Sequence, residues 1–304
     1  MRDATELGAS LYIPATRADL SQIARGEKLS GVRSLIFCTE DGIRAAELPL
    51  ALRNLAAALP ALRPLSTQMR PQMRFVRVRD PEVMRQVLAL PGCPQLDGFV
   101  LPKTTPAVLA EYLRLLEGSD YLIMPTLETR EVFDEREMAA LCRFMDRPGI
   151  HERILSLRIG GNDLLSLLGM RRPRGRTLYE TPLDLVISRL VTIFKPSGFN
   201  LSAPVFEYLE DTATLQREVE EDLAHGLVGK TAIHPNQVPL IHDCYRVHAD
   251  DLEMARQILH WNAPAVFRLY DSMCEPATHS NWARRLHLAA SCYGLHDDGT
   301  VSTT

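Results

Sequence analysis

Eight short runs of β-prone residues, each followed by a longer stretch able to form a helix, constrain this chain more than any other feature. The runs lie at 10–14, 33–38, 74–78, 98–101, 121–124, 154–159, 201–206 and 227–233. Most are continuous apolar runs rather than alternating ones, as parallel strands covered on both faces require. The helical stretches include 45–62, rich in Ala and Leu, and 106–118, which opens on Pro and closes on Gly. A third, 214–225, carries Glu218, Glu220, Glu221 and Asp222, expected to form a solvated face. Eightfold alternation predicts an α/β chain closed as a (β/α)8 TIM barrel. An open doubly wound sheet is the alternative, but no G-x-G-x-x-G turn follows the first strand to support it.

Two further helical segments, 250–269 and 280–292, exceed what a minimal barrel needs. They predict a barrel over 1–240 and a C-terminal helical extension over 241–304, packed on the barrel or on a neighbouring subunit. Residues 297–304 read as a frayed tail. A chain of 304 residues that is 46% hydrophobic and 24% charged can bury a core of this size. Its net charge of −4, with no block of one sign, argues against nucleic acid or an anionic membrane as partner. No apolar run approaches the roughly 20 residues that span a bilayer. The first six residues include Asp3 and Glu6 and no apolar run, which predicts no signal peptide. None of the six cysteines stands in C-x-x-C spacing, so a reducing compartment, the cytoplasm, is expected.

In a barrel, chemistry gathers where the strands end and their loops converge. Glu40 and Asp41 follow the second run, Arg77 ends the third, and Lys103 follows the fourth. Glu128, Asp163, Glu207 and His234 follow the fifth to the eighth. Singly, each has a bland reading: Asp163 before Leu-Leu-Ser-Leu-Leu suits a helix N-cap, and Glu128 suits a solvated first turn. Jointly, carboxylates, an Arg and a Lys around one mouth describe a site for a metal and an anion. The loop 170–179 adds Arg171, Arg172, Arg174 and Arg176. It is either a solvated or subunit-contacting loop or a lid whose Arg172 and Arg174 hold a phosphate or second carboxylate of the substrate.

These residues resemble the superfamily of citrate lyase beta subunits, malyl-CoA lyases and class II pyruvate aldolases. The matches run in order through Tyr12-Ile-Pro-Ala-Thr-Arg17, Glu40-Asp41, Val76-Arg-Val78, Leu101-Pro-Lys103, Leu127-Glu-Thr129, Gly160-Gly-Asn-Asp163 and Gly229-Lys-Thr-Ala-Ile-His-Pro235. Within it the chain is similar to a bacterial branch of predicted carbon–carbon bond lyases. The resemblance implies Glu128 and Asp163 as ligands of Mg2+ (or Mn2+), Arg77 as a contact to substrate, and Glu40 and Asp41 near the metal-bound water. It also implies a homo-oligomer, a trimer or a multiple of it. Asn162 stands where many members have Glu, Arg79 where Asn is usual, and Cys38-Thr39 where Asp-Leu is common. These departures leave the implied ligands in place and put an acyl-CoA substrate in question.

Two carboxylates leave most of an octahedral Mg2+ shell to water and substrate oxygens, and a 2-oxo acid chelates through its carboxylate and carbonyl. The ion then stabilises an enolate as a carbon–carbon bond breaks, with Arg77 beside the oxyanion. The expected function is therefore a Mg2+-dependent lyase or aldolase acting on a small 2-oxo acid or a 3-hydroxy acyl thioester. The rivals are enolate chemistry without cleavage, such as decarboxylation or phosphoryl transfer, and a barrel serving as a binding or assembly subunit. Lys103 is expected to orient structure or substrate rather than form a Schiff base, which needs a desolvated amine. His234 is expected on the rim, orienting substrate.

Overall fold

The computed structural model describes residues 2–29, 31–62 and 72–296; the expected tail at 297–304 lies outside the described residues. The chain divides into two compact units, Met1–Val238 and Pro239–Thr304.

The first unit is the expected TIM barrel. Its strands are β1 Ala9–Pro14, β2 Ser34–Cys38, β3 Met73–Arg77, β4 Gly98–Leu101, β5 Leu122–Leu127, β6 Leu157–Ile159, β7 Leu201–Ser202 and β8 Lys230–Ala232. All pair in parallel, in the order β7-β6-β5-β4-β3-β2-β1-β8. The ring closes just past β7, where Ala203 bridges Lys230: its amide donates to Gly229 O at 2.9 Å and its carbonyl accepts from Thr231 N at 3.2 Å. β7 is shorter than the apolar run predicts because Pro204 has no N–H for a ladder.

Helices α1 Leu20–Ala24, α2 Leu48–Ala58, α3 Pro81–Leu88, α4 Pro106–Leu115, α5 Glu135–Met145, α6 Gly161–Leu167, α7 Leu183–Phe194 and α8 Thr212–Ala224 follow the first seven strands, α6 and α7 both lying between β6 and β7. Sequence fixes several starts locally. Asp80 accepts from Val83 N at 2.8 Å and Thr105 from Val108 N at 3.4 Å, each followed by a proline at the first helical position. The acidic run on α8 corrects the expected solvated face. Glu218 and Asp222, one turn apart, are buried against the barrel, while Glu220 is exposed.

Inside the barrel, side chains stand in layers. Ile36, Phe75, Val100 and Met124, one each from β2 to β5, fill the N-terminal end, and Ala4 and Leu7 of the preceding turn plug it. Burying each such large side chain is worth about 1.5–3 kcal/mol. Two residues further along β3 and β5, on the same inward face, the lining turns polar with Arg77 and Thr126, joined by Arg158, the register partner of Thr126 on β6, and by Tyr12 of β1.

The second unit comprises the end of α9 Gln237–Cys244, α10 Ala249–Ile258, the hairpin β9 Phe267–Leu269 with β10 Ser272–Cys274, and α11 Pro276–Tyr293. Its core is Ala255, Ile258, Cys274 and Ala283. The predicted helix over 250–269 is thus half right. Pro264 bars the preceding turn from continuing α10, and an antiparallel hairpin follows. Among the described residues no helix is long and apolar enough to cross a membrane.

Candidate active site

The C-terminal mouth of the barrel holds a cavity of about 370 Å3, lined by Asp41, Arg77, Glu128 and Asp163 together with Tyr12 and Arg158. Four residues singled out from sequence therefore meet in one cavity, drawn from positions as far apart as 41 and 163.

Arg77, the last residue of β3, organises the group. Its Nη2 lies 2.8 Å from Glu40 Oε2, 3.4 Å from Asp41 Oδ2 and 3.3 Å from both Glu128 oxygens. The arginine read as a substrate contact thus meets three carboxylates of its own chain through one nitrogen, while its buried Nε has no hydrogen-bond partner among the described residues. Glu40 is 1% exposed and holds no free edge. It accepts from Asp41 N at 2.7 Å and from Lys103 Nζ at 2.8 Å. Burial works against its ionisation, but Asp41, Arg77 and Lys103 hold its pKa below the ordinary value. Asp41 faces the cavity, and burial with repulsion from Glu40 raises it to about 6.

Lys103 does not line the cavity. It adopts the left-handed backbone, φ +50°, which costs a non-glycine residue on the order of 1 kcal/mol or more. In that conformation its amide donates to Glu128 Oε1 at 2.7 Å, and its side chain reaches Glu40. Lys103 is thus a positioning residue for both acids and does not line the cavity in which it was expected to meet substrate.

Glu128 follows β5 and is buried. Burial, then repulsion from Asp163 and Glu40, raises its pKa to about 7 despite Arg77. Gly160 makes room for it, since a Cβ there would stand 2.4 Å from Glu128 Cβ and 2.7 Å from Oε2. Asp163 lies in the first turn of α6, whose N-cap is Gly160, so the bland N-cap reading of Asp163 is not what the fold builds. Burial and Glu40 raise its pKa as well. Two acids, Glu128 buried and Asp163 half-buried, held above their ordinary pKa beside one open cavity fit a hard divalent cation, whose charge would relieve that repulsion. Among the described residues no group of three or more His, Cys, Asp or Glu could hold a metal. Two carboxylates with open positions would suit Mg2+ and are unlike a closed zinc site.

Other expectations are corrected. Arg172 is not a lid residue: it is 1% exposed, donating to Glu207 at 2.8 Å, to Val205 O at 2.7 Å and to Glu218. Its fork is saturated from within. Arg174 is exposed and stacks on Tyr208 at 4.9 Å, beside a separate hollow lined by Glu207, Glu210 and Asp211. His234 turns away from the mouth cavity, its Nδ1 accepting from Asn236 N at 3.2 Å. Glu207 belongs to Arg172 rather than to the mouth.

Sequence reasoning passed over Arg158 and Thr126, and noted Arg79 only as a departure from the family pattern. Arg79, at the position where Asn is usual, donates to Glu40 O at 3.0 Å and Ile43 O at 3.2 Å and so pins the loop that carries Glu40 and Asp41. For Arg158 the signal was present: a charged residue inside the apolar run of a doubly covered strand has to face the barrel interior.

Comparison with known proteins identifies the family. A family model described as C-C_Bond_Lyase of the TIM-Barrel fold matches residues 1–295. A (3S)-malyl-CoA thioesterase of Cereibacter sphaeroides is 27% identical over 252 residues, 82% of this chain and 80% of its own length. The citrate lyase subunit beta-like protein of Deinococcus radiodurans is 28% identical, over 86% of this chain and 88% of its own. CitE of Mycobacterium tuberculosis, solved with magnesium, acetoacetate and coenzyme A, superposes with a TM-score of 0.68 at 20% identity, covering 95% of this chain and 99% of that one. At that identity the likeness speaks for the fold alone. The chain belongs to the carbon–carbon bond lyase family of the TIM-barrel fold.

Proposed function

We propose that this protein is a Mg2+-dependent carbon–carbon bond lyase of citrate lyase beta type, working through an enolate on a 2-oxo acid or a 3-hydroxy acyl thioester. The observation that carries this reading is the gathering of Glu128, Asp163, Asp41 and Arg77 around one cavity of about 370 Å3. Such a volume suits a small acid or the acyl end of a thioester.

Glu128 and Asp163 would hold the divalent ion. Bound there, it would supply Lewis-acid stabilisation of developing oxyanion charge. Arg77 sets the orientation of Glu128 and Glu40 and adds fixed positive charge beside the reacting oxygen. Asp41 is the proton-transfer group: it faces the cavity and titrates at about 6, close to neutrality, as a general acid or base needs. Glu40, fully engaged by Arg77 and Lys103, holds that pair in place.

A second reading, thioester hydrolysis, is favoured by the relative named a malyl-CoA thioesterase. One experiment separates the readings. Proton NMR in D2O with Mg2+ follows exchange of the methyl protons of pyruvate and of acetyl-CoA, with free thiol measured in parallel. Exchange lost in Asp163→Asn supports metal-dependent enolisation, whereas thiol release without exchange supports hydrolysis. Absence of both discards the lyase reading.

A further inference from the structure

Arg158, on β6, is 2% exposed and lines the mouth cavity. Its guanidinium donates to the Thr231 hydroxyl at 2.6 Å and the Ser10 hydroxyl at 3.4 Å, meets Met124 Sδ at 3.7 Å, and lies 5.4 Å from the centroid of the Tyr12 ring. Every one of these partners is neutral. Among the described residues no carboxylate forms an ion pair with it, whereas the buried Arg77, Arg172 and Lys230 each have at least two. A guanidinium taken out of water without an opposite charge is unfavourable, and its fork is shaped to receive a carboxylate in bidentate fashion.

A second, independent feature stands beside it. Thr126 on β5 is the register partner of Arg158, so both side chains project to the same side of the sheet. Its hydroxyl is buried in the same cavity and has no hydrogen-bond partner among the described residues. A cation without counter-charge and a hydroxyl without a partner, on neighbouring strands, share one need.

We propose that Arg158 and Thr126 form an anion subsite inside the barrel that receives a second carboxylate of the ligand, so that the protein selects 2-oxo acids with two carboxylates over pyruvate. The selectivity rests on the reading of Glu128 and Asp163 as the metal site; the subsite does not. Arg77 turns its Nη2 toward Glu40, Asp41 and Glu128, whereas no carboxylate stands within ion-pair distance of Arg158 among the described residues.

The test is titration calorimetry in two arms on the full chain. With EDTA present, malonate alone is titrated into wild type, Arg158→Met, Arg158→Lys and Thr126→Val. Loss of a charge-assisted pair is expected to weaken malonate binding on the order of 10- to 100-fold in Arg158→Met. Arg158→Lys, which keeps the charge and loses the fork, falls between, and Thr126→Val loses severalfold. With Mg2+ present, wild type binds oxaloacetate at least tenfold more tightly than pyruvate, and Arg158→Met loses the preference while keeping pyruvate. No malonate binding to wild type, or equal binding to wild type and both Arg158 variants, overturns the subsite. Should Arg158→Met fail to fold, Arg158→Lys alone decides: undiminished malonate affinity and fork-independent preference for oxaloacetate sink the proposal. Malonate binding lost on substitution, but with no Mg2+-dependent binding of either 2-oxo acid, leaves the subsite standing and refutes the metal site instead.

Discussion

Two clusters of charge in the barrel unit use the same residue types to opposite ends. Behind the strands, Lys230 donates to Glu218 at 2.9 Å and Asp222 at 2.7 Å, and Arg172 pairs with Glu218 and Glu207. Tyr179 closes the set by donating to Asp222 at 2.7 Å, and Leu178 N donates to Glu218 at 2.8 Å. At the mouth, Arg77 and Lys103 face four carboxylates, Glu40, Asp41, Glu128 and Asp163, more acids than the cations that pair with them, around an open cavity. The first cluster is closed, and each charge has an opposite at hydrogen-bond distance. The second holds acids that its own cations leave unpaired. A buried ionic group becomes structural when its own chain completes it and becomes a candidate site when completion is left to something else.

The comparison is broken or sharpened by making the same change in both clusters. Glu218→Gln should cost about 3–5 kcal/mol, read as a lower midpoint in denaturant unfolding, because it leaves Lys230 and Arg172 short of a buried partner. Glu128→Gln should leave the metal-free protein as stable or more so, since it removes an acid that burial and Asp163 already disfavour. A drop equal to that of Glu218→Gln would erase the distinction. The same Glu128→Gln should abolish Mg2+-induced thermal stabilisation and lower turnover on the order of 100-fold.

The pH dependence follows with its sign. Glu128 titrates at about 7 in the metal-free protein, above its ordinary 4.5, so the proton is favoured in the folded state. Its contribution to stability is present below its ordinary pKa and is lost as pH rises through about 7. A metal displaces that proton, so Mg2+ affinity should rise about tenfold per pH unit up to about 7 and then level off. Calorimetry between pH 5 and 8 measures this, and a flat profile would remove Glu128 from the ligand set. The smallest effect belongs to Lys103→Met. Its ammonium is largely exposed, so stability should fall by less than about 1 kcal/mol. Lys103→Gly, which relaxes the left-handed backbone but keeps the amide on Glu128, should be milder still toward Mg2+ binding.

Legibility from sequence followed the range of the interactions involved. The eight strands, the proline-opened helices and the placement of Glu40, Asp41, Arg77, Glu128 and Asp163 at strand ends were all readable, because periodicity, capping and barrel topology act locally or by rule. Arg172 and Glu218 read as surface residues of a basic loop and an acidic helix. Their burial depends on each other across 46 positions, a pairing that no local pattern records.

The sequence by itself determined the alternation, hence the barrel, and with it the rim on which acids and bases collect. Only the tertiary structure decided which charges complete one another and which are left open. It spends Arg172, Lys230 and one nitrogen of Arg77 on the chain's own carboxylates, and leaves Glu128, Asp163 and Arg158 facing a shared cavity. The physical reason is that a buried charge is defined by its neighbours within a few ångströms, and in a barrel those neighbours come from strands far apart in the chain.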